Sequence, residues 1–394
     1  MRRTEVVQGL REMKFESVLD RWRRRELTQE EAGEVLGMSE RTFRRWSERY
    51  EEAGLEGLHD RRLGKASAKR VPVDEALRVK QLYRERYEGF TAKHFHEHLV
   101  DDHAFRWGYT WTKTFLHAQH LLEPAPRRGA HRKKRPRRPA SGMMLHQDGS
   151  RHAWVPGTDE KDDLIVTMDD ATSEIYSAFL VEEEGTMSTF QGLQEVIDAH
   201  GLFCSLYTDR GSHYFHTPKA GEPVDKSQPT QVGRALGQLD IEHIAAYSPE
   251  ARGRSERAFA TLQDRLPKEL RLAGIDTREA ANRFIREVYL ARHNARFAVK
   301  PELAGSQFVR DPSRPVADVL CIQEDRVVGN DNTVRYRGLS LQLPPSPLRP
   351  HFVRAKVRVH DYPDATLAVF HGPRRLARYT AQGTLIDDVQ LRAA

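Results

Sequence analysis

The sequence predicts a multidomain chain with N-terminal helix-turn-helix units, an α/β core on a mixed five-stranded sheet, and a small C-terminal β-barrel. Three observations carry this. A capped helix, a glycine turn and an arginine-rich helix follow one another over residues 28–50. Strand and helix patterns then run β-β-β-α-β-α-β-α from Met143 to about Leu272, and short strands broken by Pro, Gly and Asn fill residues 318–380. At 394 residues, with 38% hydrophobic and 30% charged, the chain has material for two to four domains of roughly 100–200 residues. No apolar run approaches the ~20 residues that cross a bilayer, and MRRTEVVQGLREMKFESVLDRW lacks the apolar stretch of a secretory signal. A cytoplasmic protein with no membrane partner is expected. Cys204 and Cys321 stand far apart without CxxC spacing, which excludes a disulfide framework and a thiolate zinc site.

The net charge of +6 conceals a division. Residues 1–140 hold 32 basic and 22 acidic residues, a balance of +10, whereas 141–310 hold 19 against 26, or −7. A basic front on an acidic middle suits one part that grips a polyanion and another that uses carboxylates.

Residues 1–65 form the first expected domain. Thr28-Gln-Glu-Glu31 has the capping-box pattern, so a helix starts there with Ala32, Val35 and Leu36 inside. Gly37 supplies the turn, and Ser39 caps a second helix whose apolar positions are Phe43, Trp46 and Tyr50. Arg41, Arg44, Arg45 and Arg49 leave that stripe and suit phosphates or guanine edges in a major groove.

Residues 72–125 read as a second, winged-helix-like or helix-turn-helix-like unit. Ala76, Val79, Leu82 and Tyr83 form one stripe, Phe115, Leu116, Leu121 and Leu122 another, and Thr110 is placed to cap a helix bearing Lys113, His117 and His120. His94 and His98 share a helix face near His96 and His103; without cysteine or a clear fourth ligand they read as a solvated face, not a metal site. Residues 126–141 form a basic linker. Eight Arg and Lys, among them Arg132, Lys133, Lys134 and Arg135, occur there without an acid, and prolines keep the segment extended, able to lie along a phosphate backbone.

The core is expected over 142–310 and the barrel over 315–385. In the core, Asp148 falls in the first strand, Asp209 at the end of the fourth, and Glu256 on a long helix, at intervals of 61 and 47 residues. Neighbouring first and fourth strands would put Asp148 beside Asp209, and the helix would lay Glu256 over the same edge, facing the sheet. Three convergent carboxylates make a hard-oxygen site suited to Mg²⁺, and two ions roughly 3.5–4 Å apart serve in-line phosphoryl transfer. Asp169 and Asp170, at the turn after the second strand, read instead as hairpin-closing residues.

At these residues the chain resembles the DDE transposases of bacterial insertion sequences that have a retroviral-integrase-like core, closest to the ISNCY group. HQDGS around Asp148, YTDRGSHY around Asp209 and YSPEARGRSERAFATLQDRLPKEL around Glu256 resemble that family's three acidic motifs, in order. The resemblance covers nearly the whole chain. It implies an RNase H-like fold, a catalytic and metal-binding triad of Asp148, Asp209 and Glu256, and Mg²⁺ as cofactor, two ions with Mn²⁺ able to substitute. It further implies double-stranded DNA as partner, both element ends and target, a homo-oligomer on that DNA, and a nucleoid-associated location. Many relatives place Lys or Arg seven residues after the Glu, against element-end DNA; here that position is Gln263, with Arg257 and Arg265 flanking it. Two other functions fit less well: an inactive DNA-binding regulator, against which the presence of all three acids argues, and a simple Mg²⁺ nuclease, which needs neither helical DNA readers nor a basic linker.

Overall fold

The computed structural model describes residues 3–59, 70–123, 135–158, 160–217, 224–225, 227–247, 253–311, 316–345 and 349–386. The chain divides into two compact units, Met1–Gln81 and Leu82–Ala394.

The first unit contains α1 (Arg3–Arg23), α2 (Gln29–Leu36), α3 (Glu40–Ala53) and α4 (Leu55–Leu58). Thr28 and Glu31 close a reciprocal capping box, Gly37 turns the chain at φ 66°, and the Ser39 hydroxyl accepts from the Thr42 N–H. Phe15, Val18 and Leu19 of α1 meet Ala32, Phe43 and Leu58 in one small core. Val35, expected inside, is exposed; α1, whose pattern does not announce a helix, supplies the apolar surface instead. α5 (Val73–Glu85) begins in this unit and ends in the second.

In the second unit α6 (Ala92–His103) starts at Thr91, whose hydroxyl accepts from the His94 N–H. α7 (Tyr109–Ala118) is preceded by Gly108 as N-cap, so Thr110 lies in the first turn and does not cap the helix. The core follows with β1 (Leu145–His152), β2 (Asp162–Asp169), β3 (Ile175–Val181), α8 (Thr186–His200), β4 (Ser205–Thr208), α9 (Gln231–Gln238), β5 (Glu242–Ala245) and α10 (Gly253–Leu272). The sheet order is β3-β2-β1-β4-β5. β1–β2 and β2–β3 pair antiparallel, while β1–β4 and β4–β5 pair parallel. This is the expected mixed five-stranded sheet. Phe190, Leu193 and Val196 of α8 with Val232 and Leu236 of α9 cover one face. Phe259, Leu262, Leu266 and Leu270 of α10 cover the other. β2 is therefore buried along its whole length.

α11 (Arg278–Phe284) runs through a π turn, Ile285–Tyr289, into α12 (Leu290–Phe297). The side-chain amide of Asn282 pairs with both backbone groups of Leu180 at 2.6 and 2.9 Å, and that of Asn294 with both of Ile175 at 2.9 and 2.8 Å. These amides satisfy the edge strand β3. Residues twelve apart in an uninterrupted α-helix are a third of a turn out of alignment; the wider π turn takes up most of that difference.

After α13 (Val316–Val319) come β6 (Ile322–Val327), β7 (Thr333–Tyr336), β8 (Leu339–Gln342), β9 (Lys356–Asp361), β10 (Leu367–His371), β11 (Arg374–Tyr379) and β12 (Leu385–Ile386). The expected closed β-barrel is not what they form. Five strands make an open antiparallel sheet in the order β12-β11-β10-β9-β6, and β7–β8 is a separate hairpin. Val334, Tyr336 and Leu341 of the hairpin pack on Val357, Val359, Val369 and Tyr379 of the sheet. A hydrophobic face covered this way leaves no need for closure, and the two-residue β12 is a poor edge for it. Among the described residues no helix is long and apolar enough to cross a membrane.

The β2–β3 turn organises its surroundings through two fully buried acids. Asp169 closes the turn, accepting from the Thr172 N–H and hydroxyl and from the Gly142 N–H. Asp170 gathers the Arg135 and Arg254 guanidinium groups, His146 Nε2 at 2.7 Å and the Arg138 N–H at 2.7 Å. The Arg137 guanidinium reaches the Asp170, Ala171 and Ser173 oxygens. The last part of the expected free linker is thus docked on the core. Burial alone would raise the Asp170 pKa, but the His146 and Arg138 hydrogen bonds and the Arg254 charge outweigh it and hold the carboxyl well below its ordinary range. Burial likewise pushes the His146 imidazole below its usual value, against the pull of Asp170.

Both shifts act in the same direction. A depressed folded-state pKa stabilises above the ordinary unfolded value and loses that contribution as pH falls through it. Asp170→Asn, which strands two guanidinium groups, should cost roughly 3–5 kcal/mol at pH 7. In denaturant titrations the gap between the two proteins should narrow as pH drops below about 4; a gap independent of pH would remove the charge from the explanation.

Candidate active site

The parallel ladder between β1 and β4 pairs Leu145 with Leu206 and His146 with Tyr207, an offset of 61 residues. Carried two residues further, the same offset sets Asp148 level with Asp209 on the adjacent strand. Strand alternation puts Asp148 on the same face as His146. Asp148 is buried and Asp209, one residue past the end of β4, is half-buried. Asp209 Oδ1 accepts the Gly211 N–H at 2.8 Å, a local turn that fixes the carboxylate as the chain leaves the sheet.

Tyr214, buried in the loop after β4, reports the field here. Its hydroxyl lies 3.3 Å from Gln147 Oε1 and 3.4 Å from Glu184 Oε1. Burial first, then the charges of Glu184, Asp148 and Asp209, push its pKa well above the ordinary phenol value. Glu184 is thus within reach of this buried hydroxyl, and the charges of both aspartates act on it. Sequence reasoning does not single out Glu184. It approaches because position 149 is glycine: a Cβ there would stand 2.4 Å from the Glu184 carboxylate. His213 Nε2 lies 3.6 Å from the same carboxylate.

α10 is tied to β1 at two points. Arg254 shares an Asp170 oxygen with His146, and Gln263 Nε2 donates to Ser150 Oγ at 3.0 Å. Nine helical residues at ~1.5 Å each span about 13.5 Å, and four strand residues at ~3.3 Å each span about 13 Å. Helix and strand advance together, so Glu256, two residues past Arg254, is level with Gln147, about one strand residue from Asp148. Glu256 and Gln263 are two turns apart on one flank of the helix. The expectation that Glu256 faces the sheet needs correction. Ser255, Phe259, Leu262, Leu266 and Leu270 form the inward stripe, and Glu256 is exposed beside it. The three carboxylates are not drawn together as tightly as a trio elsewhere, His94, His98 and Glu269, which alone among the described residues brings three such ligand atoms within 4.8 Å of one another.

Of the residues expected to meet DNA, Arg41, Arg44, Arg45 and Arg257 are exposed. Arg49 is half-buried and donates to the His59 carbonyl at 3.3 Å, tying α3 to the end of α4. Arg135 is committed to Asp170, because a buried carboxylate is a stronger partner than solvent. Arg132, Lys133 and Lys134 lie outside the described residues. Gln263, in place of a basic residue, is occupied with Ser150.

A family model described as a helix-turn-helix domain matches residues 16–66. Over 350 residues the chain is 30% identical to y4bF of Sinorhizobium fredii (strain NBRC 101917 / NGR234), described as a transposase, with 87% of this chain and 75% of that one covered. Over 345 residues it is 25% identical to the transposase for insertion sequence IS1202 of Streptococcus pneumoniae, covering 79% and 73%. Among solved structures, a chain of the simian T-cell lymphotropic virus intasome in complex with PP2A regulatory subunit B56 gamma shares 15% identity over 71% of this chain and 91% of its own, at a TM-score of 0.33. The HTLV-2 integrase catalytic core domain in complex with magnesium shares 14% identity over 38% and 89%, at 0.29. Likenesses that loose carry no argument.

Proposed function

The chain belongs to the DDE transposases of bacterial insertion sequences, and on that premise we propose that it binds the terminal repeats of a mobile element, cleaves the 3′ ends and joins them to target DNA. In the first step water displaces the flanking strand, leaving a 3′-hydroxyl on the element and a phosphate on the flank. In the second that hydroxyl attacks a target phosphodiester and releases a target 3′-hydroxyl. The observation that supports this reading is the 61-residue register that sets Asp148 level with Asp209, with α10 advancing alongside so that Glu256 comes within about one strand residue of that height.

We assign catalysis to Asp148, Asp209 and Glu256. The donor set fits a hard dication, since it is carboxylate oxygen in surroundings acidic enough to be felt at Tyr214. Asp148, Asp209 and Glu256 would hold Mg²⁺, or Mn²⁺ in its place, and two such ions supply activation of the attacking oxygen and charge neutralisation at the leaving one. Glu184 and Gln147 fix Tyr214 behind the aspartates. Because Glu256 is on an exposed flank, it can take up its position from the solvent side as DNA enters. Arg41, Arg44 and Arg45 read the ends, Arg257 meets backbone beside the site, and Arg132, Lys133 and Lys134 track phosphates. Two ends must reach one target, which a homo-oligomer on DNA accomplishes.

Single Ala substitutions at Asp148, Asp209 or Glu256 should abolish cleavage and joining of oligonucleotide ends in Mg²⁺ while leaving end binding nearly intact, because the carboxylates act on the reaction and not on docking. Full activity in Asp209→Ala would overturn the assignment. Replacing Arg44 and Arg45 together by Ala should weaken binding of cognate ends more than of scrambled duplex, by about 1–3 kcal/mol for each bidentate arginine–guanine pair removed. Equilibrium titrations on both duplexes measure this, and two unchanged curves would mean that α3 does not read the ends.

A further inference from the structure

His94 and His98 stand one turn apart on α6, and both point at a residue far away in sequence. Glu269, in the last turns of α10, places Oε1 2.6 Å from His94 Nε2 and 2.9 Å from His98 Nε2. The histidines are not the solvated face expected of them: their side chains are 1% and 11% exposed, and that of Glu269 14%. We propose that His94, His98 and Glu269 bind a transition-metal ion of the Zn²⁺ class, which fastens α6 to α10.

Ligand chemistry, ring orientation and space all favour this. Two imidazoles with one carboxylate suit Zn²⁺ and its neighbours and not Mg²⁺, which separates this site in kind from the carboxylates around Asp148. Part of the outer shell is already built, on the His98 side, while His94 Nδ1 is buried without a hydrogen-bond partner. His98 Nδ1 bonds Asp102 Oδ2 at 2.7 Å, the carboxylate contact that orients a metal-ligating histidine. The His94 ring stacks on Phe90 at 4.4 Å, and Tyr87 packs on the His98 ring at 5.2 Å, so both nitrogens are aimed before any ion arrives. Beside the trio a cavity of about 360 Å³ is lined by His98, Asp102, Glu269, Tyr289 and His293. The Tyr289 hydroxyl and His293 Nδ1 are buried there without a hydrogen-bond partner. Both residues are 6% exposed. A water completing the coordination of the ion would have room, and partners, in that space. Nearby cations do not forbid it, because Arg265 and Arg296 are both paired with Glu97, and Arg296 also with Asp101.

Thirteen residues separate Glu269 from Glu256, about 20 Å along the helix. The ion therefore acts on structure, holding the far end of the helix whose near end carries the candidate catalytic Glu256.

The test uses the full chain carrying Asp209→Ala, to weaken metal binding at the aspartates, stripped with chelator and titrated with Co²⁺. One Co²⁺ per chain is expected, with a visible ligand-field spectrum of nitrogen and oxygen coordination that Zn²⁺ bleaches, and with a higher Tm in Zn²⁺. Glu269→Gln and His98→Asn, each shown by circular dichroism to be folded, should bind Co²⁺ more weakly by on the order of 100-fold and lose the Tm response. Absence of stoichiometric Co²⁺ binding in the parent protein would overturn the proposal, as would unchanged binding in both folded variants.

Discussion

The arrangement of the candidate active site depends on the register of one parallel strand pair. β4 is only four residues long, and a slip of one residue against β1 would turn Asp209 to the opposite face from Asp148. The register is pinned where the ladder begins. The Cys204 N–H donates to the Gly142 carbonyl at 2.9 Å, and the Ser205 hydroxyl to the Met143 carbonyl at 2.8 Å. Leu145 and Leu206, paired across the ladder, are both fully buried in the core under α8 and α9. Shifting the strands would expose that apolar surface, so the hydrophobic core and the placement of two aspartates are one constraint.

α10 inherits its position from the same strand. Its apolar stripe sets the helix on the sheet, but a stripe permits sliding along the helix axis. The Arg254–Asp170–His146 cluster and the Gln263–Ser150 hydrogen bond are directional and remove that freedom on either side of Glu256. Here the glutamine at 263 holds the helix to β1.

Much of this is legible in the sequence because it is local. The capping box at Thr28 and Glu31, the turn at Gly37 and the strand-like runs around Asp148 and Asp209 are short-range patterns, and short-range physics decides them. The 61-residue interval is visible too, although only the ladder gives it meaning. What escapes is long-range. Nothing near Glu269 marks it as the partner of His94 and His98, nothing near Arg135 marks a buried acid as its destination, and nothing near Glu184 marks it as a neighbour of Gly149 and Tyr214. The C-terminal strands are recognisable singly, but a strand pattern does not say whether a sheet closes; the covering hairpin decides that.

The central claim is that Asp148 and Asp209 together hold the divalent ions that DNA cleavage requires, with Glu256 joining them. The most direct measurement is anomalous scattering from crystals of the protein on its terminal-repeat DNA, grown in Mn²⁺ and recorded near the manganese edge. The account predicts anomalous density contacted by both Asp148 and Asp209, with Glu256 reaching it, and loss of that density in Asp209→Ala. Manganese bound only elsewhere, or density that persists unchanged without the Asp209 carboxylate, would contradict it.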